Sequence, residues 1–183
     1  MDPQQPLPRR TAWAAVARCV LTSTALLARG RVHLPDGEVG RRIRFADGTT
    51  SRVYRDTVLD RPPPADPCGL VVEFRLRAVR GARAHRLFRA ESLLNTPLFV
   101  GFPGYVSKLW LAADELGVYR GLYEWDGAAR AEAYARALWR VLALVSVPGS
   151  IGYRVLPGLR RADLLAGPGR GGGGEWWRPV AAA

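Results

Sequence analysis

The side chains best suited to chemistry in this sequence are a carboxylate, an amide and a phenol. Glu91 and Asn95 are four residues apart, a spacing that places two side chains on one face of a helix. From there Glu91 can take or supply a proton, while Asn95 and the hydroxyl of Tyr123 hold a developing oxyanion. We therefore predict these three residues as the catalytic groups of an acid/base reaction.

Aromatic side chains recur on the strands that would face this helix. Strand alternation places them on one side of a sheet, where rings with a few polar groups are typical of a small-molecule site. The predicted substrate-binding residues are Tyr105, Tyr119, Trp125, Tyr153 and, from the helix, Phe88. The alternative is an ordinary core with hydrogen-bonded tyrosines and a Glu91 that faces water.

Metal-binding and disulfide patterns are missing from the sequence. The two cysteines, Cys19 and Cys68, have no C-x-x-C spacing, and the two histidines, His33 and His85, are far apart. We expect no metal site and no cofactor.

Periodicity predicts the elements that must position these residues. Alternating and helical spacings follow one another as strand 70–79, helix 82–95, strands 105–111 and 118–125, helix 128–147 and strand 151–156. This β-α-β-β-α-β order indicates an α+β, ferredoxin-like domain over residues 70–160, with a four-stranded antiparallel sheet and helices on one face.

The remaining segments are predicted as additions to this domain. Residues 1–10 read as disordered, and residues 11–60 as a helix followed by a β-hairpin around the Asp47-Gly48 turn. Residues 61–69 form a proline-rich linker, and residues 161–183 a flexible, glycine-rich tail that contains Trp176 and Trp177.

The other face of the predicted sheet mixes large apolar groups with charges of both signs. A face that only contacts water has little reason to collect Trp110, Val118 and Leu122. We predict that two copies meet there as a symmetric homodimer, with ion pairs across the contact. The predicted dimer face comprises Glu73, Arg75, Lys108, Trp110, Arg120, Glu124 and Arg154.

The formal net charge of +11 is concentrated at the front of the chain, and 26 of the 27 basic residues are arginine. Residues 1–90 hold 17 arginines and 8 acids, whereas residues 91–183 hold 10 basic and 8 acidic residues. Nucleic-acid binding through the basic extension needs aromatic platforms that are scarce there, so we do not expect that partner.

The apolar stretch 11–28 follows Arg9 and Arg10, as in a signal peptide, but Arg18 interrupts it and no small-residue cleavage site follows. It is also too short and too polar for a membrane span. We predict an amphipathic helix of a cytoplasmic protein with no membrane partner.

Two segments resemble a known family. Residues 96–110 (TPLFVGFPGYVSKLW) and 117–125 (GVYRGLYEW) are similar to the mono-oxygenase-like branch of the dimeric α/β-barrel superfamily, in particular to actinobacterial members. The resemblance covers residues 70–160 and implies a dimer with sheets packed face to face and a ligand cavity between each sheet and its helices. The superfamily includes cofactor-independent mono-oxygenases of polyketide quinones, haem-degrading enzymes, lactone isomerases and polyketide cyclases, so fold alone does not select a reaction.

The expected function is that of a small tailoring enzyme. Its substrate would be an aromatic or polyketide-like molecule in the cavity, and its reaction a mono-oxygenation or an acid/base cyclisation or isomerisation. The first alternative is a non-catalytic dimeric protein that binds a ligand without turnover. The second is a nucleic-acid-binding protein that uses the basic front of the chain.

Overall fold

The computed structural model describes residues 5–77, 92–166 and 175–180 of the chain. These residues form an α+β fold with a curled antiparallel sheet and three α-helices. The helices are α1 (Arg9–Ala28), α2 (Ala128–Val145) and α3 (Arg161–Leu165), and a 3₁₀ helix spans Ser92–Leu98. The strands are β1 (Val32–His33), β2 (Arg42–Phe45), β3 (Thr50–Leu59), β4 (Pro67–Arg75), β5 (Tyr105–Leu111), β6 (Val118–Asp126), β7 (Gly152–Pro157) and β8 (Pro179–Val180).

The strands of the described ranges pair in the order β7-β4-β6-β5-β3-β2-β8, and β1 pairs with the end of β3. The predicted hairpin is present, with Arg42 opposite Arg52. The four strands predicted for the main domain are neighbours in this sheet. The sheet nevertheless exceeds the four predicted strands, because β3 pairs with β5 and places Val58 opposite Ser107. Segment 11–60 therefore shares a sheet with segment 70–160, and β3 covers an edge of β5 that would otherwise be open to other chains.

Helices α1 and α2 cover one side of the sheet, which we call the helical face. Its core contains Leu70, Tyr123, Trp125 and Tyr134. The spacing of Ala131, Tyr134 and Leu138 turns one stripe of α2 toward the strands.

A close backbone approach fixes α1 on this side. A Cβ atom at Gly101 would lie 2.3 Å from the carbonyl oxygen of Cys19, so only glycine fits there without displacing the helix. The hydroxyl of Ser23 accepts a hydrogen bond from the Gly101 N–H (2.8 Å) and donates one to the carbonyl oxygen of Pro97 (2.9 Å). This contact joins α1 to the loop that leads into β5.

The chain itself covers the opposite face of the sheet. Ile43 and Phe45 of the hairpin pack with Leu109, Leu122 and other apolar side chains in a second core. Leu164 of α3 and both Trp176 and Trp177 pack against the same core. Strand β8 pairs with β2 and places Arg44 opposite Val180. The segment predicted as a flexible tail thus contributes a helix and a strand, while its glycine-rich part, residues 167–174, lies outside the described residues.

Arg120 links the hairpin to the sheet. Its guanidinium contacts three carboxylates, those of Asp47 (2.6 Å), Asp114 (2.8 Å) and Glu73 (3.4 Å). The same group lies 4.4 Å from the ring centre of Phe45. Because these partners come from the hairpin, from β4 and from the β5–β6 turn, one buried cation connects three parts of the fold.

Helix α1 is, within the described ranges, the one helix long and apolar enough to span a membrane by length and composition. Its Ala12, Val16, Cys19 and Ser23 are buried against the rest of the protein. By length and composition, the prediction that this segment is too short and too polar to span a membrane is therefore wrong, although the four buried residues lie on one face of α1.

The segment between β4 and β5 departs from the prediction. Most of the predicted helix 82–95 lies outside the described residues. Residues 92–98 form a 3₁₀ helix, in which Pro97 lacks the N–H that an α-helix requires.

Candidate functional site

A bulge in β5 decides which side chains face the helices. The pairing of β5 with β6 shifts between Tyr105 and Ser107, so that Tyr105 lies opposite Trp125 and Lys108 lies opposite Tyr123. One extra residue in a strand reverses the faces of everything after it. Lys108 and Trp110 therefore lie on the helical face, not on the predicted dimer face.

The ammonium group of Lys108 lies against aromatic rings. Its Nζ atom is 3.2 Å from the ring centre of Trp110 and 4.7 Å from those of Phe99 and Tyr123. Lys108 is only 7% exposed. Within the described ranges, no carboxylate lies within 4.0 Å of this cation. Burial, and then the charge of Arg55, hold the pKa of Lys108 well below its usual range.

Arg55 is a second buried cation on the helical face. It lies opposite Trp110 in the pairing of β3 with β5, and its guanidinium carbon is 3.7 Å from the centre of that ring. Burial lowers the pKa of Arg55 to about 10. The adjacent Asp56 is on the other face of the strand, where it accepts a hydrogen bond from Arg161 (2.6 Å). Two cations, Lys108 and Arg55, thus share one indole ring.

Hydrogen bonds hold the rings around this pair in place. The Tyr105 hydroxyl donates to the carbonyl oxygen of Thr57 (2.8 Å), and the Trp110 indole N–H donates to the Thr57 hydroxyl (3.0 Å). The Tyr134 hydroxyl donates to that of Tyr123 (3.1 Å). Burial raises the pKa of Tyr105, Tyr123 and Tyr134, so these phenols stay protonated at neutral pH. We call Lys108, Arg55, Phe99, Trp110 and Tyr123 the cationic-aromatic cluster.

The structure brings together only part of the predicted substrate-binding set. Tyr105 and Trp125 are fully buried and pack edge to face, with ring centres 5.7 Å apart. Tyr119 stacks on Phe74 at 5.9 Å, toward the other end of β6. Tyr153 donates a hydrogen bond to Glu132 of α2. Tyr119 and Tyr153 therefore have structural partners away from the cluster, and Phe88 lies outside the described residues.

The predicted catalytic residues are placed only in part. Tyr123 belongs to the cationic-aromatic cluster. Asn95 is half-buried in the 3₁₀ helix. Glu91 lies outside the described residues. Tyr123 thus packs beside Lys108, and the catalytic roles of Tyr123, Glu91 and Asn95 stay predictions.

The predicted dimer face is largely occupied within one chain. Glu73 and Arg120 lie opposite each other on β4 and β6 and form an ion pair, as described above. Arg154 lies 5.9 Å from the ring of Trp177, and Arg75 is exposed at the end of β4. Glu124 is half-buried on β6. Since the hairpin and the C-terminal segment cover this face, a homodimer stays a prediction that needs another contact surface.

Sequence reasoning did not find Arg55 and Phe99, and it placed Lys108 on the wrong face. One signal pointed to Lys108: it is the single lysine in a chain with 26 arginines. Arg55 and Phe99 carried no comparable signal, because they reach the site through strand pairing and a loop.

Comparison with known proteins identifies no relative of this chain. No family model matches the chain, and no curated protein or solved structure matches it significantly. The site must therefore be interpreted from its own geometry.

Proposed function

We propose that this protein is a small tailoring enzyme that binds an aromatic or polyketide-like anion at the cationic-aromatic cluster. The observation that carries this proposal is the buried Lys108, whose ammonium has aromatic rings but no described carboxylate as neighbours. A methionine would fill such a position without the free energy needed to desolvate a charge. A lysine kept there is better explained by a ligand that uses it.

The chemistry of the cluster indicates the class of ligand. Two cations attract a carboxylate, a phenolate or an enolate, and the rings of Trp110 and Phe99 provide apolar surface for a flat molecule. A base that removes a proton from such a substrate leaves a negative oxygen, which both cations would stabilise. Cyclisation, isomerisation and cofactor-independent oxygenation all begin with an anion of this kind.

The family assignment belongs to the same proposal. Strands β4, β5, β6 and β7 are neighbours in the sheet and α2 packs on one face of them, which is consistent with a ferredoxin-like unit of the dimeric α/β-barrel type. The additional strands would then be elaborations of that unit. We also propose a cytoplasmic location, which is supported by the packing of α1 within the fold.

The test is a binding and turnover assay with matched ligands. Aromatic hydroxy acids should quench tryptophan fluorescence, and their neutral methyl esters should bind more weakly. The Lys108→Met variant should lose about tenfold or more in affinity, the scale of one hydrogen bond to a charged group. Arg75→Met, which removes an exposed cation from the end of β4, is the matched control.

Mass spectrometry of the reaction mixture then separates the functions. A product heavier by one oxygen atom indicates oxygenation, one lighter by a water indicates cyclisation with dehydration, and an isomer indicates acid/base isomerisation. Binding without any product would favour the accessory-protein alternative. Equal binding of acids and esters, unaffected by Lys108→Met, would refute the proposed site.

A further inference from the structure

The arginine bias of this chain makes its one lysine informative. Cations are arginine at 26 of 27 positions, on the surface and in the Arg120 network alike. The exception, Lys108, is buried among aromatic rings. Arginine keeps its proton in proteins, whereas lysine can lose it when it is desolvated. The single side chain able to serve as a neutral amine is therefore at the candidate site.

We infer that Lys108 is a nucleophilic residue that forms an imine with the carbonyl group of an aromatic aldehyde or ketone. This inference rests on the proposed function, because it assigns a covalent step to the same cluster. Two features of the surroundings favour an uncharged nitrogen: Lys108 is buried, and a second cation, Arg55, shares the ring of Trp110. Lysines activated in proteins are desolvated in this way or placed beside another cation.

The position of Lys108 favours an uncharged amine before the reaction. Lys108 is buried, and the charge of Arg55 lies against the Trp110 ring system that the two cations share. The depressed pKa of Lys108, caused by burial and then by Arg55, favours the free amine needed for attack.

The proposed step balances without a further reactant. The nitrogen lone pair of Lys108 attacks the carbonyl carbon, a C–N bond forms, and the carbonyl π electrons move to oxygen. One amine proton moves to that oxygen and gives a carbinolamine. The second amine proton leaves with the hydroxyl group as water, and a C=N bond results. The imine, once protonated, withdraws electrons from the adjacent carbon and prepares it for proton loss or ring closure.

Because the chain has one lysine, trapping of the imine is unambiguous. The full-length protein is incubated with salicylaldehyde and sodium cyanoborohydride at pH 7, and the adduct is located by peptide mapping. The N-terminal amine provides an internal background common to all variants. We expect labelling of Lys108 that is at least about tenfold faster in the native protein than in guanidinium chloride, since each unit of pKa depression gives about ten times more free amine.

Lys108→Arg is the matched variant, because it keeps the cation and removes the nucleophile. It should lose the adduct while it still binds salicylate, which has no carbonyl group to condense. Labelling of the N-terminus alone, or equal rates in native and unfolded protein, would overturn the inference even if salicylate binds and the proposed function stands. If salicylate does not bind but Lys108 is still labelled faster in the native state, the inference holds and the ligand class of the proposed function is wrong.

Discussion

Replacement of Arg120 by methionine tests whether one buried cation holds the hairpin on the sheet. The side chains of Arg120 and Asp114 are 2% and 0% exposed, and their closest N···O distance is 2.8 Å. Removal of one partner from such a buried pair costs about 3–5 kcal/mol, because the remaining charge is uncompensated. Here Asp47 and Glu73 lose the same partner, so we expect the upper part of that range.

Thermal unfolding by circular dichroism measures the effect. For a chain of this size, about 3–5 kcal/mol corresponds to a decrease in Tm of roughly 6–20 °C. Arg130→Met is the matched control: Arg130 is 55% exposed, lies 3.4 Å from Asp126 and should contribute at most about 1 kcal/mol. A similar decrease in Tm for the two variants would refute the assignment of Arg120 as the link.

The pH dependence provides a second check. In wild type, burial raises the pKa of Glu73, although Arg120 opposes this rise. Without Arg120, the charges of Asp47 and Asp114 still repel the Glu73 carboxylate, so the pKa of Glu73 should rise further in the folded state. A carboxyl group with a raised folded-state pKa stabilises the fold at low pH and loses that contribution as the pH rises. The deficit of Arg120→Met should therefore shrink between pH 7 and pH 4.5, and a constant deficit would contradict the electrostatic explanation.

Three further predictions concern packing and charge. Gly101→Ala should lower the free energy of unfolding by about 1–3 kcal/mol in denaturant titrations, because its Cβ would lie 2.3 Å from the carbonyl oxygen of Cys19. Gly37→Ala is the control: there is open space around Gly37, so the free energy of unfolding should change little. Deletion of the residues after 174 should uncover the second core and increase binding of the dye ANS, and unchanged dye fluorescence would argue against that packing. Lys108→Met should raise Tm at pH 7, because a lysine with a depressed folded-state pKa destabilises the fold at low pH, and this gain should decline as the pH approaches 10.

Local patterns predicted most of the elements. Strand 105–111 matches β5, and the helical spacing of residues 128–147 matches α2 within two residues. The Asp47-Gly48 turn predicted the hairpin correctly. These signals are short-range, since alternation, helical periodicity and turn residues each depend on neighbours in the chain.

The faces of β5 could not be predicted in the same way. Alternation counted from Tyr105 places Ser107, Leu109 and Leu111 toward the helices, but the bulge after Tyr105 reverses this, and Leu109 and Leu111 lie in the second core. A bulge depends on the partner strand, and no residue between Tyr105 and Lys108 is of a type that predicts one. Because of this one extra residue, Lys108 lies at the candidate site and not at the predicted dimer contact.

Local sequence patterns also could not predict that the hairpin docks on the sheet. The sequence predicted strands around the turn but not that β3 joins β5, because that pairing links Asp56 with Leu109 across a large separation in the chain. The prediction of a dimer had the same cause, because without the docked hairpin the apolar face of the sheet would be uncovered. Apolar groups such as Leu122 do need a cover, and the chain supplies it from its own two ends.

This arrangement has a consequence for biosynthesis. The pairing of Arg44 with Val180 joins strand β2 to residues that the ribosome adds much later. Until those residues leave the exit tunnel, Phe45 and its neighbours lack part of their final cover, and the open edge of β2 is available to chaperones or to other nascent chains. Completion of the second core should therefore wait until Val180 has left the exit tunnel, well after Phe45 has done so.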